Sequence, residues 1–83
     1  MERIFTTPDL GAAVRRARRR RGLSQIQLAD HANVARSAVQ KLERGRGTVR
    51  LETALKLLHM LSLDLAIASR STGHDPQEGA DAR

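Results

Sequence analysis

The strongest constraint on this chain is where its backbone has to turn. Gly22, Asn33 and the Gly45/Gly47 pair each follow a short stretch of apolar residues at helical spacing, and these residues tolerate the left-handed backbone that ends a helix and redirects the chain. What lies between these breaks reads as short helices. Thr7-Pro8-Asp9 predicts the first start, with Thr7 as cap, Pro8 at the first helical position and Asp9 at the positive end of the dipole. Leu10, Ala13, Val14 and Ala17 form its apolar stripe, and the helix is expected to stop at Gly22. Ser24 caps a second helix with Leu28, Ala29 and Ala32 facing inward; Asn33 ends it and Val34 fills the corner. A third, from about Ala35 to Arg44, buries Ala38, Val39 and Leu42 and turns Arg36, Ser37, Gln40 and Lys41 outward. A fourth, about Leu51 to Leu61, carries Leu51, Ala54, Leu55, Leu58 and Leu61 as its stripe.

Four such helices close one small core. A chain of 83 residues buries only about 60% of the surface its unfolded form exposes, which leaves little room for a catalytic cleft. The formal charge is +6, and Phe5 is the single aromatic residue, so stacking of unpaired bases is disfavoured while duplex phosphates suit the surface. That charge is concentrated: between Arg15 and Lys56 twelve Lys or Arg face Asp30, Glu43 and Glu52, whereas Ser71 to Arg83 holds three acids and one Arg. A membrane-surface role for the Arg-rich first helix is weak, since its apolar face is mostly alanine and the core needs it.

There is no cysteine, so neither a disulfide framework nor a thiolate metal site arises. His31, His59 and His74 fall on different segments without metal-ligand spacing. No enzyme activity, cofactor or metal is expected. Met1 to Leu10 lacks the apolar core of an export signal, and the most apolar run, Leu57 to Ala68, is interrupted by His59, Ser62 and Asp64. A cytoplasmic protein without membrane contact is the expectation.

After Leu61 the period changes to two, with Leu63, Leu65 and Ile67 alternating with Asp64, Ala66 and Ala68. A lone strand leaves its backbone groups unpaired, and pairing with the same strand of a second copy across a two-fold axis satisfies them. A dimerisation strand over about 62–69 is therefore expected, against the alternative of a continued fourth helix or a frayed segment. Residues 70–83, rich in turn formers and without apolar period, read as a disordered tail. The expected domain is 1–69.

The segment from Leu23 to Gly45 joins these features. It opens on Leu23-Ser24-Gln25, continues through Leu28-Ala29, turns at Asn33 with Val34 as corner residue, and closes on Glu43-Arg44-Gly45. This pattern resembles the Cro/repressor (XRE) class of helix-turn-helix domains over roughly Leu10 to Leu61. Two departures from the class stand out: Asn33 replaces a glycine often found at the turn, and Ala35 replaces the usual Ser or Thr cap, at about 1 kcal/mol of helix stability. The resemblance implies an all-α bundle of four to five helices, with a short C-terminal β-strand pairing across a dimer. It also implies that Arg36, Ser37, Gln40 and Lys41 face base edges in the major groove, where each base pair shows a distinct donor and acceptor pattern. Gln25, Arg44 and Arg46 would hold phosphates, and Arg18 would pair with Glu43 as a structural salt bridge.

With Phe5 to Gly11 before the first helix and Leu61 to Ile67 after the fourth, the chain is similar to HipB-type antitoxins. That family implies a homodimer joined partly through a C-terminal strand that includes Leu63, Leu65 and Ile67. It further implies a pseudo-palindromic operator, repression of the chain's own operon, and a HipA-like kinase toxin as partner. The alternative is a phage-type or restriction-controller regulator with the same DNA chemistry and no toxin.

Overall fold

The structure is a computed structural model and describes residues 1–69. Four helices follow one another: α1 (Thr7–Arg20), α2 (Gln25–Ala32), α3 (Arg36–Arg44) and α4 (Leu51–Met60). α1 lies against α3, α2 bridges α3 and α4, and α3 meets α4 more lightly. Each helix supplies one large side chain with no solvent exposure, namely Val14, Leu28, Val39 and Leu57. Burying a residue of this size contributes about 1.5 to 3 kcal/mol, so these four knit the bundle together.

The caps explain where the helices begin. Thr6, one residue earlier than expected, caps α1: its hydroxyl accepts from the Asp9 amide at 3.2 Å, and the Asp9 carboxylate accepts from the Thr6 amide at 3.1 Å. This reciprocal arrangement is a capping box. Thr7, freed from capping, reaches across the fold and donates to the Gly45 carbonyl at 3.1 Å. Ser24 and Gln27 form the same box at α2. Asn33 ends α2 at φ 57°, ψ 50°, the left-handed turn anticipated for it, and Gly45 ends α3 at φ 69°.

Two expectations are corrected. Leu51 and Leu55 do not face the core: α4 buries Ala54, Leu57 and Leu58 and is followed by buried Leu61, leaving Leu51 and Leu55 exposed. α4 carries leucines around so much of its circumference that period alone does not select a face. The strand expected over about 62–69 is not formed in the single chain either. Leu63, Leu65 and Ile67 lie in irregular backbone, for a strand needs a ladder partner and none exists among the described residues. The tail expected at 70–83 lies outside the described residues.

Candidate nucleic-acid interface

The local chain path presents α3 as an outward-facing rod. The turn between α2 and α3 is closed by Asn33 and by the Val34 amide, which donates to the Ala29 carbonyl at 3.0 Å. α3 then buries Val39 and Leu42, and a period of 3.6 sends Arg36, Ser37, Gln40, Lys41 and Arg44 to the opposite side. All five are exposed. They extend over about 12 Å of helix axis at 1.5 Å per residue. Arg46 is exposed just beyond Gly45, and its amide donates to the Lys41 carbonyl at 3.2 Å. Among the described residues none of Arg36, Lys41, Arg44 or Arg46 takes part in an ion pair. Among the described residues four cations free of ion pairs therefore lie on one side of α3 and just past its end.

Beneath this face lies a rigid clamp. Arg18 projects from α1, donating from Nε to Glu43 Oε2 at 2.6 Å and from Nη2 to Glu43 Oε1 at 2.9 Å. Its Nη1 donates to the Leu23 carbonyl at 2.8 Å. Arg18 is the single buried charged residue among those described. The hydrogen bond to Glu43 raises its pKa above the ordinary guanidinium value, outweighing burial, which acts the other way. The expected Arg18–Glu43 salt bridge is thus present in bidentate form, and through Leu23 it also holds the entry to α2.

The clamp has two features that the sequence reading missed. Gln25 Nε2 donates to Glu43 Oε1 at 3.1 Å, so this side chain, expected on a phosphate, is half-buried and oriented by Glu43 at the start of α2. That bond uses one of its two amide hydrogens. Gly11, on the buried side of α1, is where α1 crosses α3: a Cβ there would overlap the Leu42 carbonyl oxygen and stand 2.9 Å from that of Glu43. An isolated glycine inside an apolar helical period was the available signal. Gly45 is doubly required, by its positive φ and because a Cβ would stand 2.6 Å from Pro8 Cα.

The remaining arginines of α1 are spread over its outer surface. Arg16 pairs with Glu2, and Arg21 Nη2 donates to Ser62 Oγ at 3.0 Å. Of the three anticipated strand residues, Leu63 is half-buried against the core and Leu65 and Ile67 are exposed. Among the described residues no group of three or more His, Cys, Asp or Glu could hold a metal ion, and no helix is long and apolar enough to cross a membrane.

With this geometry in view, the helix-turn-helix family HTH_3 matches residues 14–67. The chain belongs to this family. The helix-turn-helix chain is also 35% identical over 66 residues to an uncharacterized HTH-type transcriptional regulator, y4mF, of Sinorhizobium fredii, spanning 80% of this chain and 87% of that protein. Its fold is similar to a chain described as part of a HipA-HipB-O2-O3 complex, with a TM-score of 0.75, 21% identity, and coverage of 86% of this chain and all of the other. A chain from a HipB-O4 20mer complex is similar to the same degree. At that identity the likeness is one of fold, and it agrees with the class to which the Leu23–Gly45 pattern pointed.

Proposed function

We propose that this protein is a sequence-specific regulator that binds duplex DNA with α3 in the major groove and represses transcription. The observation that carries the reading is the exposed face of α3, on which Arg36, Ser37, Gln40 and Lys41 stand together with no ion pair among the described residues, while Val39 and Leu42 anchor the opposite side. Arg36 and Lys41 have the chemistry to bond guanine O6 and N7, and Ser37 and Gln40 to donate to or accept from neighbouring base edges. Arg44 in the last turn of α3 and Arg46 just beyond it stand where a phosphate strand would pass. Gln25, pinned by Glu43, offers its second amide hydrogen to the same backbone at the start of α2.

In the full reading two copies, joined through residues 62–69, span half-sites separated by about 34 Å or a multiple of it. The helix-turn-helix family, the relative described as a transcriptional regulator, and the fold shared with HipB chains support this assignment. The shared fold with a chain of a HipA-HipB complex further supports the role of an antitoxin that controls its own promoter and pairs with a HipA-like kinase toxin.

The test is a gel shift of the purified chain on the DNA upstream of its own gene, with and without the product of the adjacent gene. Arg36→Ala is expected to relax preference among operator variants, with a loss of about 1 to 3 kcal/mol at the preferred base pair. Arg46→Ala is expected to weaken every sequence alike and to reduce the salt slope by about one. Identical behaviour of the two variants across operators would refute the assignment of base reading to α3. A neighbouring product that neither supershifts the complex nor co-purifies with the chain would remove the antitoxin role and leave DNA binding standing.

A further inference from the structure

A cavity of about 330 Å³ opens where the start of α1, the end of α3 and the loop into α4 meet. Its walls are apolar: Leu10 comes from α1, Leu42 from α3, Val49 from the loop, and Leu51 and Ala54 from α4. Small residues keep it open. Ala54 is buried and contributes a single methyl group. Gly45 and Gly47 line the cavity without side chains, and at Gly45 none fits, because a Cβ would stand 2.6 Å from Pro8 Cα. Leu51, 70% exposed, leaves its apolar side chain in water at the edge.

The charge around this cavity has one sign. Lys41 and Arg46 line it, no acidic residue does so among the described residues, and neither cation takes part in an ion pair there. The Lys41 stem runs along the loop, with its Cδ 3.4 Å from the position a Cβ of Gly47 would take. Such a side chain covers apolar surface with its methylenes and keeps its charge in water.

We propose that the cavity is an effector site for a small amphipathic anion, a medium-chain monocarboxylate whose tail lies on the apolar walls and whose carboxylate pairs with Lys41 and Arg46. Size and lining give the class. At roughly 30 Å³ per water-sized group, about 330 Å³ holds about ten non-hydrogen atoms, as many as octanoate has. A nucleotide base finds nothing to stack on, since Phe5 is the single aromatic residue and lies outside the lining. A polyol finds few partners, for Thr7 already donates its hydroxyl to the Gly45 carbonyl. The inference rests on the proposed reading in which Lys41 and Arg46 serve DNA. A carboxylate held by these two cations takes them from guanine and phosphate, so effector and operator oppose one another, and by linkage each weakens the other by the same factor.

Calorimetric titration of the full chain with octanoate, without DNA, tests the site. Fluorescence anisotropy on the upstream DNA, with sodium acetate holding the ionic strength constant, tests its consequence. Octanoate is expected to bind the free chain and, at saturation, to weaken DNA binding about tenfold. Octanol, with the same tail and no charge, is expected to leave DNA binding within about twofold of its starting value. Arg46→Ala is expected to weaken octanoate on the free chain. Leu51→Gln, an exposed change, and Thr48→Trp, which fills the cavity from the loop, are expected to weaken octanoate about fivefold or more with DNA affinity in the absence of octanoate unchanged, circular dichroism confirming wild-type helicity. No heat of binding at millimolar octanoate, or equal binding by wild type, Leu51→Gln and Thr48→Trp, would overturn the site. Octanol as effective as octanoate against DNA would overturn the pairing with Lys41 and Arg46. A chain that binds octanoate but no DNA would remove the reading of α3, and the effector role with it, while the anion site itself would stand.

Discussion

Glu43 does more than any other side chain near the candidate interface, although it points away from it. Its two oxygens take the Arg18 fork and the Gln25 amide at distances of 2.6 to 3.1 Å, fixing α1, α2 and α3 at one point. Glu43→Ala would leave the Arg18 guanidinium buried with the Leu23 carbonyl as its remaining partner, and would release Gln25. Removing one member of a buried pair is expected to cost about 3 kcal/mol, read as a lowered urea midpoint with an unchanged slope. A midpoint equal to wild type would show that the clamp adds nothing to stability. Lys is a poor substitute for Arg18, because a point charge cannot reproduce the paired bonds to Glu43 together with the bond to Leu23.

Among the helices, α1 and α3 start in contrasting ways. The Asp9 carboxylate at α1 accepts from the Phe5 and Thr6 amides, and the Phe5 bond is the main reason its pKa lies below the ordinary carboxylate value. A folded value below the unfolded one means that the unfolded chain takes up the proton first as pH falls. The stabilisation is therefore complete above the normal carboxylate range and is lost as pH drops through the depressed folded value. Asp9→Asn is expected to flatten the loss of stability between about pH 5 and pH 3, measured by thermal melts across that window. α3, by contrast, begins at Ala35 in extended backbone with no side-chain cap. Ala35→Ser supplies the missing acceptor and is expected to stabilise the fold by about 1 kcal/mol, raising the melting temperature by about 4 °C or more. A lower melting temperature would show that the Ala35 backbone does not accept a side-chain cap.

For the molecule as a whole, the charge distribution predicts a steep response to salt. A dimer that sets two copies of Arg44 and Arg46 on phosphates neutralises about four charges, for which affinity should fall about a hundredfold between about 50 and 200 mM salt. A flat response by fluorescence anisotropy would exclude phosphate anchoring by these residues. Much of this could be read directly from the chain. The four helices, the left-handed turn at Asn33, the outward side of α3 and the Arg18–Glu43 pair rest on periods, caps and a spaced motif, all carried by neighbouring residues or by the class pattern. Where neighbours in sequence were insufficient, the reading went astray. Thr6 rather than Thr7 caps α1 because the box needs Asp9 at the third helical position. Gln25 turns to Glu43, and Gly11 admits the α3 backbone, because of contacts between residues 18 and more than 30 positions apart. The composition of α4 determined that it would be an apolar helix; the packing of α2 and α3 against it determined that Leu57 would be inside and Leu51 and Leu55 outside. Hydrogen bonds and rotamers within one turn depend on a few adjacent residues and are written in their order. Which side of a leucine-rich helix is covered depends on what other helices leave open, and that becomes defined only when the chain has closed on itself.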